Sequence, residues 1–93
     1  MGIEFEITYI DSVINADIPK LSTSDKKRIK EAIEKKLITE PEVFGKPLRS
    51  SLGGYRKLRV GDHRVIFQIQ GQKIKILCIG HRSTVYKKFG KKM

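Results

Sequence analysis

Two stretches of this chain, GGYRKLRVGDHRVIFQIQ and KIKILCIGHRSTVY, interleave cations with apolar residues. Between them they hold side chains suited to gripping a phosphate and moving a proton. Arg59, Arg64 and Arg82 present planar guanidinium forks that match phosphate oxygens, and their charge persists at any relevant pH. Tyr86, His81, His63 and Lys57 are the neighbouring groups able to exchange protons. Other chemistries are poorly provided for. Metal-dependent nuclease sites are built from clustered carboxylates, and the one acid after Phe44 is Asp62, in a turn. Cys78 lies inside the apolar run IKILCIG, which makes it a packing residue rather than a nucleophile.

The charge is lopsided. Met1 to Phe44 holds seven Lys/Arg against nine Asp/Glu, and Gly45 to Met93 holds 13 against one. The halves therefore carry about −2 and +12 of the net +10. Such asymmetry points to a polyanion-facing surface. Because the cations alternate with apolar residues, a folded sheet presents them, not a disordered tail.

The elements that must position these groups follow from periodicity. Ile3, Phe5, Ile7 and Tyr9 alternate with Glu4, Glu6 and Thr8, which predicts a half-buried strand over Ile3 to Ile10. Val13, Ile14 and Ile18 form a short helical stripe that Pro19 ends or bends. STSDKKRIKEAIEKKL is the strongest helix, with Ile29, Ala32, Ile33 and Leu37 on one stripe and Ser22 or Ser24 as N-cap. Its lysines and Arg28 form the exposed side. Thr39, Pro41 and Gly45 mark a loop into KPLRSSLGG. Three strands then follow, Tyr55 to Val60, His63 to Gln70 and Lys73 to His81, with turns at Gly61-Asp62 and Gly71-Gln72. Connections this short require antiparallel pairing. The expected fold is α+β: a small antiparallel sheet of the N-terminal strand plus the C-terminal meander, with two N-terminal helices packed on one face. Leu58 points to the core, so Lys57 and Arg59 point to the opposite, uncovered face. GKKM closes the chain as a frayed basic tail.

Ninety-three residues make a single domain, 1–93, with 39% hydrophobic and 32% charged residues, a soluble composition. No apolar run approaches the ~20 residues of a membrane helix. MGIEFEITYI has acids where a signal peptide has a basic start. One cysteine excludes an internal disulfide, and the cytoplasm is the expected compartment.

KPLRSSLGGYRKLRVGDHRVIFQI, an apolar strand and then IGHRSTVY together resemble the RelE branch of the RelE/ParE superfamily of bacterial and archaeal toxins. The resemblance covers nearly half the chain closely. It implies a small antiparallel sheet with two N-terminal helices. It also implies an mRNA interferase that cuts mRNA in the ribosomal A site and is silenced by a cognate, acidic antitoxin. Position by position, it matches Lys57, Arg59, Arg64, Arg82 and Tyr86, with Arg56 a further match. With these the expected catalytic set is Lys57, Arg64, Arg82 and Tyr86, and Arg56, Arg59 and His81, the last read from its own chemistry, are expected to bind RNA phosphates. His63 departs from the pattern, standing where a tyrosine is common, as does the short first helix broken by Pro19.

RNA can be cut without a metal when its own 2′-OH attacks the adjacent phosphate. The enzyme then assists proton removal, stabilises the charge on phosphorus and protonates the leaving 5′-oxygen. Arg59, Arg64 and Arg82 suit the second task. For the proton steps the candidates are Tyr86, as base or stacking group, with Lys57 or Arg82 at the leaving group. No cofactor or metal is expected. Two other readings remain: a ParE-like gyrase inhibitor of the same fold, and a non-catalytic RNA-binding module.

Overall fold

The computed structural model describes residues 4–48 and 54–92. The expectations placed on Ile3, on 49–53 of the KPLRSSLGG loop and on Met93 lie outside the described residues. Five strands form one sheet in the order β1-β5-β4-β3-β2, comprising β1 (Glu6–Tyr9), β2 (Lys46–Pro47), β3 (Tyr55–Val60), β4 (His63–Gln70) and β5 (Lys73–His81). Strands β3, β4 and β5 make the expected antiparallel meander. Gly61 (φ +59°) and Gly71 (φ +64°) supply the positive φ that its two-residue turns demand. Strand β1 pairs with β5 in parallel, Ile7 opposite Ile74. The helices between them carry the chain back across the sheet, as a parallel connection requires.

One face is covered as the sequence predicts. A π-helical turn, Val13–Asp17, runs into a 3-10 turn, Ile18–Lys20, that contains Pro19. Helix α1 (Thr23–Ala32) follows, and a further π-helical turn, Ile33–Leu37, extends it. Ser22 is the N-cap, its Oγ accepting the Asp25 N–H at 3.1 Å. Ile29, Ile33 and Leu37 are buried against Val13, Leu58, Val60, Val65, Phe67, Ile74, Ile76 and Ile79. Ile7 and Tyr9 of β1, and Phe5 just before it, pack on the same core. Helix α2 (Pro41–Phe44) then leads to β2 on the edge of β3.

The other face is not left open. The closing GKKM, expected to fray, is as far as Lys92 the end of helix α3 (Val85–Lys92), whose buried Val85 and Phe89 sit on Ile66 and Cys78. Tyr55 meets Phe89 edge-on, with ring centroids 5.2 Å apart. A bulge serves this second core. Ile66 pairs with Cys78 but Phe67 with Ile76, which leaves Leu77 as the extra residue. Leu77 and Cys78 consequently both contribute to the α3 side.

Strand β1 covers only part of β5. Its last contact is the Ile10 N–H to Ile76 O, at 3.2 Å. Beyond it, side chains take the place of a neighbouring strand. Asp17 Oδ2 accepts the Ile79 N–H at 2.9 Å, Lys88 Nζ donates to Ile79 O at 2.8 Å and Lys92 Nζ to Leu77 O at 3.0 Å. The two lysines also reach the Asp17 carboxylate, at 3.1 and 2.8 Å. Asp17 is 2% exposed. Burial alone would push its carboxyl up, but bonds from Lys92, the Ile79 N–H and Lys88 outweigh that and hold it below the ordinary carboxylate range. Lys92 of the supposed loose tail thus clasps α3 to the first helical segment.

Candidate polyanion-binding cleft

Strand parity sorts the basic residues of β3. Leu58 and Val60 enter the helix-side core, and Lys57 and Arg59 project from the other face. Cross-strand pairing sets Arg59 opposite Arg64 and Lys57 opposite Lys46. These four cations, together with Phe44, line a cleft of about 240 Å³. None of the four is paired with a carboxylate among the described residues. The field inside is therefore uncompensated and favours an anion.

Arg64 and Arg82 converge on the same turn. Arg64 Nη1 donates to Gly61 O at 3.0 Å and to His63 O at 2.9 Å, which fixes one branch of the guanidinium and leaves the other for a ligand. The Arg82 N–H donates to Asp62 O at 2.8 Å, and its Nε stands 3.9 Å from Asp62 Oδ1. Both side chains of that pair are mostly exposed, at 62% and 73%. A surface contact this long holds Arg82 weakly. Tyr86 lies in the first turn of α3, 41% exposed, and Lys57 Nζ stands 5.7 Å from its ring centroid. Lys57 thus belongs to the cleft and touches the tyrosine.

Two residues of the expected set lie elsewhere. Arg56 shares the parity of Leu58 and Val60, and its Nη1 donates to Gly45 O at 2.9 Å. It braces the α2–β2 connection from the helix side. His81 pairs across the sheet with His63, ring centroids 5.9 Å apart, and His63 Nε2 is 3.9 Å from Asp25 of α1. The Ser83 N–H donates to His81 Nδ1 at 3.1 Å, so a neutral His81 carries its proton on Nε2. Both histidines therefore sit on the helix face, away from Lys57 and Arg59.

Lys46, Phe44 and Asp17 were not singled out by sequence. Lys46 opens the KPL run and could have been found by pairing that run with β3. Asp17 follows Val13 by four residues, an acid on an apolar stripe. Cys78 is fully buried, and burial pushes its thiol up, as a core residue's would be. Among the described residues no three His, Cys, Asp or Glu side chains cluster as metal ligands. No described helix is long and apolar enough to cross a membrane.

Residues 13–86 match the family model of the ParE toxin of the type II toxin–antitoxin system parDE. Toxin RelE of Mycobacterium tuberculosis is 38% identical over 53 residues, which cover 55% of this chain and 55% of that protein. The chain thus spans little more than half the length of that curated relative. Among solved structures, the toxin–antitoxin complex RelBE2 from Mycobacterium tuberculosis superposes with a TM-score of 0.78 at 26% identity, covering 87% of this chain and 94% of that one. A mutant of the Escherichia coli toxin RelE in the free state gives 0.65 at 16% identity, covering 97% and 98%. The latter likeness is one of fold.

Proposed function

The chain belongs to the RelE/ParE superfamily of type II toxin–antitoxin toxins, and from that premise we propose that it is a ribosome-dependent endoribonuclease that cleaves mRNA in the A site. The observation that carries this reading is the acid-free cleft of Lys46, Lys57, Arg59 and Arg64, with Tyr86 against Lys57 and Arg82 at the adjoining turn. The 2′-OH of the substrate attacks the neighbouring phosphorus, and Arg59 and Arg64 stabilise the charge that develops on its oxygens. Tyr86 takes the proton or stacks on the base, and Lys57, by proton donation, or Arg82, by its fixed charge, assists the departing 5′-oxygen. These steps need only groups the cleft supplies, and no metal takes part.

An acidic antitoxin is the partner this reading requires, since an excess of cations attracts a negatively charged segment. RelBE2, a structural relative, is itself a toxin–antitoxin complex. The match to a ParE family model favours a second reading, inhibition of DNA gyrase. Primer extension on mRNA in a purified translation system separates the two. New 5′ ends within the A-site codon, weakened in Arg82→Ala and Tyr86→Phe, support the nuclease. Intact mRNA together with blocked DNA supercoiling supports the gyrase inhibitor.

A further inference from the structure

We propose that Phe44 is a stacking platform for a nucleobase at the mouth of the cationic cleft. The inference rests on the reading of that cleft as an RNA site and adds a contact to the base where the cations offer contacts to the phosphates. The ring is 41% exposed and lines the cleft beside Lys46, Lys57, Arg59 and Arg64. Lys36 Nζ stands over one face of it, 5.6 Å from the centroid, and the proposed base stacks on the other.

An exposed phenyl ring gains little for the fold, yet its backbone is tightly held. Pro41 is buried, and the Gly45 N–H donates to Pro41 O at 2.9 Å. Gly45 lies against the Phe67 ring so closely that a Cβ there would overlap it, and the Gly45 carbonyl receives the Arg56 guanidinium. A rigid aromatic beside uncompensated cations suits a flexible anionic polymer whose units each carry a π-face. Single-stranded nucleic acid has that chemistry. An acidic peptide would satisfy the cations but would not need the ring.

The chain contains no tryptophan, so the Phe44→Trp protein reports on this position by fluorescence. The titrants are a single-stranded RNA of about ten nucleotides and an abasic ribose-phosphate strand of equal length. RNA should quench the Phe44→Trp emission and the abasic strand should not. Phe44→Leu should bind RNA about 5- to 150-fold more weakly than wild type and the abasic strand equally well, while Phe44→Tyr retains RNA binding. Equal losses for both strands in Phe44→Leu, unchanged RNA affinity, or no RNA binding by wild type would each overturn the proposal. Base-dependent binding without scission in the primer-extension assay would remove the nuclease reading and leave the platform standing.

Discussion

Replacing Asp17 by alanine tests whether the clasp across the open edge of β5 holds the molecule together. The carboxylate is 2% exposed and accepts the Ile79 N–H, Lys92 and Lys88. Its removal leaves a buried N–H unpaired, at about 1–3 kcal/mol. It also sets two ammonium groups side by side with only carbonyls for partners. Breaking a fully buried ion pair costs ~3–5 kcal/mol. Lys88 and Lys92 remain 31% and 19% exposed, so water recovers part of that and the total should be about 3 kcal/mol. For a domain this small, that lowers Tm by about 12–24 °C. Urea unfolding at neutral pH and low salt, followed by circular dichroism, measures it. Glu42→Ala, at an exposed acid, controls for net charge and should stay within about 0.5 kcal/mol of wild type. An Asp17→Ala protein within that same margin would refute the clasp. So would loss of stability in both variants alike, since the effect would then be one of total charge.

Asp17→Asn keeps an acceptor for the Ile79 N–H but loses the charge. Because the folded carboxyl sits below its ordinary value, its contribution is present above about pH 4 and lost as pH falls through the lower folded value. The stability gap between wild type and Asp17→Asn should therefore close on acidification in unfolding titrations across that window. Gly45→Ala should destabilise by ~1–3 kcal/mol or displace α2, because the new Cβ overlaps the Phe67 ring and lies 2.8 Å from Pro41 O; thermal unfolding reads it. Lys57→Ala, Arg59→Ala and Arg64→Ala should each weaken RNA binding in every sequence context and reduce the log–log salt slope by about 1. A slope unchanged in all three would remove these residues from the phosphate contacts.

Strands β1, β3, β4 and β5, both hairpin turns, an N-cap at Ser22 or Ser24 and the apolar stripe of α1 were legible because each is a local pattern with a local cause. So was the burial of Cys78, whereas β2 was read as loop. Arg56 and His81 show where local reading stops short. Arg56 shares its strand's parity with Leu58, so its helix-side placement was available from the same alternation that placed Lys57 and Arg59. For Arg56, family likeness, which assigns residues by position, obscured it. Alternation counted from Ile74 and Ile76 puts His81 on the other face, and only the bulge at Leu77 returns it to the helix side with Ile79. Helix α3 was hidden for a different reason. Eight residues with two buried side chains cannot hold a helix in water. It exists because Val85 and Phe89 find a second core, and because Lys88 and Lys92 find Asp17. The lysine contacts join the two ends of the chain, which no window of sequence contains.

The cleft and the clasp treat charge in opposite ways. At the clasp two lysines share one carboxylate and donate to two backbone carbonyls, and the carboxylate also accepts a backbone N–H, so each charge has partners. In the cleft Lys46, Lys57, Arg59 and Arg64 face one another without an acid. Like charges opposed across a sheet are destabilising by about 0.2–1 kcal/mol a pair. The fold bears that repulsion on its most regular strands, where the two cores supply the stability to tolerate it. If the repulsion is retained for binding, two properties must move together when one cation is removed. Arg59→Gln should raise the unfolding free energy by a few tenths of a kcal/mol and weaken polyanion binding in the same protein. Polyanion added to wild type should raise its Tm more than it raises that of the variant. A variant that bound less and was also less stable would show Arg59 to be part of the scaffold, and the cleft's charge would then need a structural explanation.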